Sequence, residues 1–333
     1  MDRMQFIQGV TRTRVFETRL LSRPKIDRMI DADDIDEVIK LLSETEYSKS
    51  LIGINSANDY EKILSNELKR VYDLMREVSV EAVVVDLLAL KYDYHNLKVL
   101  IKEQEFNQDL SELYVPIGTN EPQKLKQAYK DGDFSEIDEE FKHAIDATIL
   151  DLNKNHDPQR IDITLDSYYF EHLYKIANDT QIDLFIEYVK DMIDFINVKS
   201  SIRMKKQGKD FRFFKDVILE NGNINKEDIL SAYGDSIDTM IQKFKNSKIS
   251  SALIKGLNYY KETNRLSEFE KFMDDYLMEL NKKSKYINFG PEPIFSYIIA
   301  KEAEIKNLRI IMVSKINNLS PDVIRGRVSD LYV

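Results

Sequence analysis

The residues with most to offer chemistry here are four histidines and 58 carboxylates, in a chain of 333 residues with no cysteine. His95, His143, His156 and His172 show no His-x-x-x-His spacing, which would place two imidazoles on one helical face as metal ligands. Without cysteine there is no thiolate zinc site, iron–sulfur cluster, cysteine nucleophile or disulfide framework. Asp131-Gly-Asp-Phe-Ser-Glu begins like a calcium loop, but its sixth position is Glu136 rather than Gly and its twelfth is Lys142 rather than Glu. A solvated acidic helix start accounts for it better. Neither a Gly-x-x-x-x-Gly-Lys-Ser/Thr loop nor a Gly-x-Gly-x-x-Gly turn is present to cradle phosphates. Phe211, Phe213 and Phe214 lie among Lys and Arg, yet core aromatics of a helix explain them more simply than stacked bases. A net charge of −10 argues against a dedicated binder of the phosphate backbone. No catalytic, cofactor-binding or metal-binding residue is assigned, and no nucleic acid is expected.

What the sequence does repeat is a triad of acid, amide and base. Asp93-Tyr-His-Asn96-Leu-Lys98, Asp194-Phe-Ile-Asn197-Val-Lys199 and Glu304-Ile-Lys-Asn307-Leu-Arg309 align on their asparagines. Apolar residues recur nine and two positions before each Asn, and one and five after it. They are Leu87, Tyr94, Leu97 and Ile101; Tyr188, Phe195, Val198 and Ile202; Ile298, Ile305, Leu308 and Met312. Such intervals make one buried stripe on a helix. Acid and base are five apart, so they diverge around the helix and are not an (i, i+4) pair. Two uses of the triad stay open. It could present three equivalent contacts to a partner around a pseudo-threefold axis. Alternatively, each Asn bridges two helices within its own lobe, which the need of a buried amide for partners favours.

The elements that carry the triads read as helices. Only 10 Gly and 7 Pro punctuate the chain, too few for the frequent turns of a many-stranded sandwich or barrel. Polar breaks fall at Gly53–Asn58, Pro116–Pro122, Asn153–Pro158, Glu220–Asn225 and Asn288–Pro293. A second repeated element lies at Asp31–Leu42, Lys130–Phe141 and Tyr233–Phe244, each with an Asp or Ser placed to cap a helix. Repeats about 100 residues apart imply small domains rather than short solenoid units. The expectation is an all-α protein of three similar helical lobes, 1–110, 111–211 and 212–333. Charge is shared unequally, at −5 over residues 1–110, −7 over 111–220 and +2 over 221–333. The most apolar stretch, Val80–Leu90, is broken by Glu81 and Asp86, so no membrane span is expected, nor is a secretory signal seen.

Several segments resemble a known family. Arg12-Thr-Arg-Val-Phe-Glu-Thr-Arg-Leu-Leu, the Asp31 element and Glu44-Thr-Glu-Tyr resemble the start of the C subunit of archaeal and bacterial V-type (A-type) rotary ATPases. Lys91-Tyr-Asp-Tyr-His-Asn-Leu-Lys-Val-Leu-Ile-Lys is similar to that family's central signature. Phe289-Gly-Pro-Glu-Pro-Ile, Ala300–Ile311 and Ile324-Arg-Gly-Arg-Val-Ser-Asp-Leu-Tyr-Val are similar to its C-terminal part. The d subunit of the eukaryotic V-ATPase is similar too. The resemblance implies a funnel of three helical lobes with pseudo-threefold symmetry. It implies a non-catalytic rotor part without cofactor, on the cytoplasmic face of the membrane, between the D and F subunits of the central shaft and the proteolipid rotor ring. The alternative is a helical scaffold or adaptor outside any motor.

Overall fold

A computed structural model describes residues 1–53, 56 and 59–333. Among these residues the secondary structure is helical, with sixteen α-helices, short 3-10 turns and no strand. The all-α expectation holds. No helix among them is long and apolar enough to cross a membrane. The break foreseen at Gly53–Asn58 lies largely outside the described residues, while the other four fall at or beside interruptions between helices.

The chain divides into two compact units. The first joins Met1–Val85 to Ile249–Val333. It holds α1 (Ile7–Glu17), α2 (Arg23–Asp31), α3 (Ile35–Ser43), α4 (Tyr60–Val78), α13 (Ser250–Thr263), α14 (Ser267–Lys282), α15 (Glu292–Ile316) and α16 (Pro321–Arg327). Its centre is α15. Residues Glu292–Lys301 are buried without interruption, as expected of a helix surrounded by others rather than lying on a surface. Around the second half of α15, Leu308, Ile311 and Met312 pack with Ile30, Val38, Leu42, Ile63 and Ile324.

The second unit is one continuous segment, Asp86–Lys248. It contains most of α5 (Val83–Phe106), then α6 (Pro122–Asp131), α7 (Glu139–Asn155), α8 (Gln159–Thr180), α9 (Asp183–Lys206), α10 (Phe211–Val217), α11 (Lys226–Ser231) and α12 (Ile237–Phe244). Helices α7, α8 and α9 follow one another through tight links at His156 and Gln181, both left-handed at the helix ends. The core aromatics include Tyr94, Phe141 and His172. Burial lowers the pKa of His172, and its Nδ1 lies 3.3 Å from the Tyr94 hydroxyl.

The second repeated element holds at two of its three copies. Asp34 caps α3 by accepting from the Glu37 N–H, and Ser236 caps α12 by accepting from Thr239. The aligned Asp133 instead accepts from Ser135 in a non-helical turn. Asp138 is the cap there, five residues later, because the helix starts only at Glu139. Of the three phenylalanines near residue 211, Phe214 is buried and stacked on Tyr233, whereas Phe211 is exposed.

Candidate functional site: a clasp repeated three times

The signature helices are α5, α9 and α15, and their stripe residues are buried except for half-exposed Tyr188. Each signature Asn faces a segment of extended chain, not a second helix. Asn96 donates its amide N–H to the Val115 carbonyl and accepts the Val115 N–H, both at 2.9 Å. Asn197 does the same with Leu219, at 2.9 and 2.8 Å. Asn307 does so with Ser329, at 2.9 Å in both directions. A primary amide carries donor and acceptor side by side, so it replaces a peptide edge and satisfies both polar groups of one buried residue. The expected bridge between two helices is therefore corrected. The clasped residues follow short helical pieces, Ser111–Leu113, α10 and α16, which turn the chain back along the signature helix.

The acids extend the clasp. Asp93 accepts the backbone N–H groups of Thr119 and Asn120 at 2.8 and 2.9 Å. Asp194 accepts those of Asn223 and Ile224 at 3.1 and 3.0 Å. In both, these are the fourth and fifth residues beyond the one held by Asn. Burial raises the pKa of Asp93 against the opposing effect of its N–H donors. Burial likewise pushes Asp194 up to about 6, with nearby Asp191 adding to it and the two N–H groups opposing. Gly118 and Gly222 precede the held N–H groups directly. A Cβ on Gly118 would lie 2.4 Å from the Asp93 carboxylate, and one on Gly222 would lie 2.2 Å from that of Asp194. Any other residue would push the acid off its donors. The missed signal was a glycine three residues past the clasped residue in the first two copies.

The third acid takes a different partner. Glu304 accepts the Leu21 N–H through one carboxylate oxygen and the Tyr47 hydroxyl through the other, the latter at 2.8 Å. Leu21 stands just before Ser22, the N-cap of α2. Asn120 and Ile224 likewise stand just before the caps of α6 and α11. All three acids thus hold the residue that leads into a helix pair. Glu304 also belongs to a buried charge network. Lys301 Nζ lies 2.6 Å from Glu304 and 2.9 Å from Glu67, and 4.3 Å above the Tyr47 ring. Arg70 closes on Glu67 at 2.7 Å. Burial alone would lower the pKa of Lys301, but Glu304 and Glu67 outweigh it and raise it. Burial would raise Glu67, yet Arg70 and Lys301 hold it below the ordinary range. Burial and then Glu304 push Tyr47 well up.

The bases reach across to neighbouring helices. Lys98 pairs with Asp166 at 2.6 Å and Arg309 with Glu61 at 2.8 Å. Lys199 lines a cleft between α8, α9 and α10. The nine signature residues are therefore brought together as three separate constellations, and the asparagines and acids serve the chain itself. Among the described residues no group of His, Asp and Glu gathers to hold a metal ion.

Comparison with known proteins gives this repeated architecture a family. The C subunit of an A-type ATP synthase from Methanocaldococcus jannaschii is 27% identical over 341 aligned residues, covering 96% of this chain and 85% of its own. The C subunit of a V-type sodium ATPase from Enterococcus hirae is 26% identical, covering 95% of both chains. The C subunit of an A-type ATP synthase from Thermococcus kodakarensis is 21% identical, covering 96% of this chain. Residues 9–327, spanning all three signatures, match the family described as ATP synthase (C/AC39) subunit, and the chain belongs to that family.

Proposed function

We propose that this protein is the non-catalytic central-stalk component of a V-type or A-type ATPase, carrying torque between the D and F subunits of the shaft and the proteolipid ring on the cytoplasmic face of the membrane. The observation that carries the reading is the match over nearly the whole chain to proteins named as the C subunits of such enzymes. A torque-bearing spacer must resist twisting, and close-packed helices of low compressibility supply that. The clasps fit this task, because each fixes the path of a returning loop to a long helix through paired hydrogen bonds. They also support three lobes, 1–110, 111–211 and 212–333, about a pseudo-threefold axis. The third acid holds the entry to α2 as the first two hold the entries to α6 and α11, so the repeat runs head to tail.

The test is genetic and biochemical. The tagged chain should co-purify with the catalytic subunits, the shaft and the ring. Deleting it should abolish ATP-driven ion transport while the detached soluble head still hydrolyses ATP. Ion transport that persists without the chain would overturn the reading.

A further inference from the structure

Each unit contains a cleft beside a signature helix, α15 in the first and α9 in the second, and the two clefts are built from the same repeat positions. Counted from the signature Asn, both are lined at −1, +2, +3, +6, +7, +20 and +22. In the first unit the cleft runs along α14 and α15 and has a volume of about 380 Å³. In the second it runs along α8 and α9 and has a volume of about 440 Å³. Shared positions make a shared shape, but the charges differ.

The cleft of the first unit is balanced. Lys271, Lys306, Arg309 and Arg327 face Glu268, Glu270 and Asp274, and Glu61 pairs with Arg309. The cleft of the second unit is not. Its two acids, Asp162 and Asp166, are already engaged from α5 by Lys102 and Lys98, at 2.9 and 2.6 Å. Lys199 and Arg203 line it in addition, and Lys209 sits over the ring of lining residue Phe213 at 4.3 Å. With both acids so engaged, Arg203 and Lys209 stand at this cleft with no acid paired to them among the described residues. The Arg203 side chain is exposed and has no ion-pair partner among the described residues. The floor is apolar, from Phe170, Ile196, Met204 and Val217.

We infer that the cleft between α8 and α9 is a docking site for an acidic amphipathic segment of another polypeptide. Apolar side chains of that segment enter the floor, and its carboxylates meet Arg203 and Lys209. Charge complementarity selects the sign of the partner. The concave apolar floor selects a polypeptide over the flat surface of anionic lipid, since a helix face inserts anchors into such a groove. The inference rests on the proposed ATPase role only for where the natural partner is sought, which is the same complex.

The experiment uses the purified full chain and a fluorescent helical peptide of leucines at i and i+4 with glutamates elsewhere. The expected result is binding that weakens as salt rises and roughly tenfold or greater loss in Arg203→Glu/Lys209→Glu. Arg327→Glu, in the matching cleft of the first unit, should leave binding unchanged. A peptide with lysine in place of glutamate should not bind. Circular dichroism and the thermal midpoint of each variant serve as the check of folding. Equal loss in both clefts, no binding by the folded wild type, or retention of phosphatidylserine vesicles that depends on Arg203 would each overturn the site. Failure of the peptide while the chain still co-purifies with ATPase subunits removes the docking site and leaves the proposed role standing. Peptide binding by a chain that joins no ATPase removes the proposed role alone.

Discussion

Asp194 and Glu304 stand at the same place in the repeat and do different work. Asp194 holds two N–H groups of its own following loop, 29 and 30 residues on. Glu304 reaches a residue 283 positions back in the chain and shares its second oxygen with Tyr47 and Lys301. Around Asp194 the clasp is local, made of one carboxylate and backbone. In the first unit it sits in a largely buried network of two acids and two bases, and it joins distant pieces of chain. Position in a repeat fixes where a carboxylate points, while the packing around it decides how its charge is compensated.

That contrast is sharpest at Lys301. Replacing it by Met should leave Glu304 buried with no cation beside it and Glu67 with Arg70 alone. The expected loss is about 3–5 kcal/mol in urea unfolding, the usual result of removing one partner from a buried ion network. Lys98→Met, on the more open pair with Asp166, should cost less than about 1 kcal/mol. Comparable losses in the two variants would erase the distinction between a buried ion network and an open ion pair.

Gly222→Ala comes next. The new methyl group meets the Asp194 carboxylate, and a loss of about 1–3 kcal/mol is expected from the forced shift. Combined with Asp194→Ala, the double variant should lose less than the two single losses added together, since one contact underlies both. Gly326→Ala, in open space in the first unit, should be close to neutral. Full additivity in the double variant would show that the carboxylate is not what excludes a side chain at Gly222.

Asn197→Ala leaves a buried N–H and C=O of Leu219 without partners, and about 1–3 kcal/mol should be lost. Asn96→Ala and Asn307→Ala should fall within the same range, because the paired geometry is the same in all three copies. A much larger effect at one of them, read from unfolding midpoints, would mean that the clasps are not equivalent.

The smallest effect is in pH dependence. Asp194 titrates at about 6 in the folded chain, against about 3.9 when unfolded. The folded state therefore binds more protons between those values, so this residue favours stability as pH falls through 6 towards 4 and disfavours it on the way back up. Asp194→Asn removes that contribution. The difference in thermal midpoint between wild type and variant should change in that window and be flat above it. A flat difference throughout would place the ordinary carboxylate pKa on Asp194.

Much of this was legible beforehand, and the limit was physical. The stripe Leu87, Tyr94, Leu97 and Ile101 betrayed a buried helix through spacing alone, and the spacing of Asn96, Asn197 and Asn307 gave the repeat. The partners of those asparagines were hidden because they are backbone groups, which leave no residue type behind. Loop length hid them further, since Val115 follows its Asn by 19 residues and Leu219 and Ser329 follow theirs by 22. Glu304 offered no hint of Leu21, because a contact across 283 positions has no local pattern. Lys199 was read as the base of its triad, and Arg203 was not singled out. That Arg203 stands without an acid depends on α5, whose Lys98 and Lys102 engage Asp166 and Asp162, and contacts between helices leave no local pattern.

The hold of Glu304 on Leu21 also sets an order of events during synthesis. The second unit is continuous and has all its parts once residue 248 has left the ribosome. The first 85 residues have emerged long before, but their central helix is α15 and their clasp is Glu304. They must wait, with Leu21, Val38 and Ile63 uncovered, until most of the chain has been translated. The segment of residues 1–85 is thus made before residues 86–248 and completed after them.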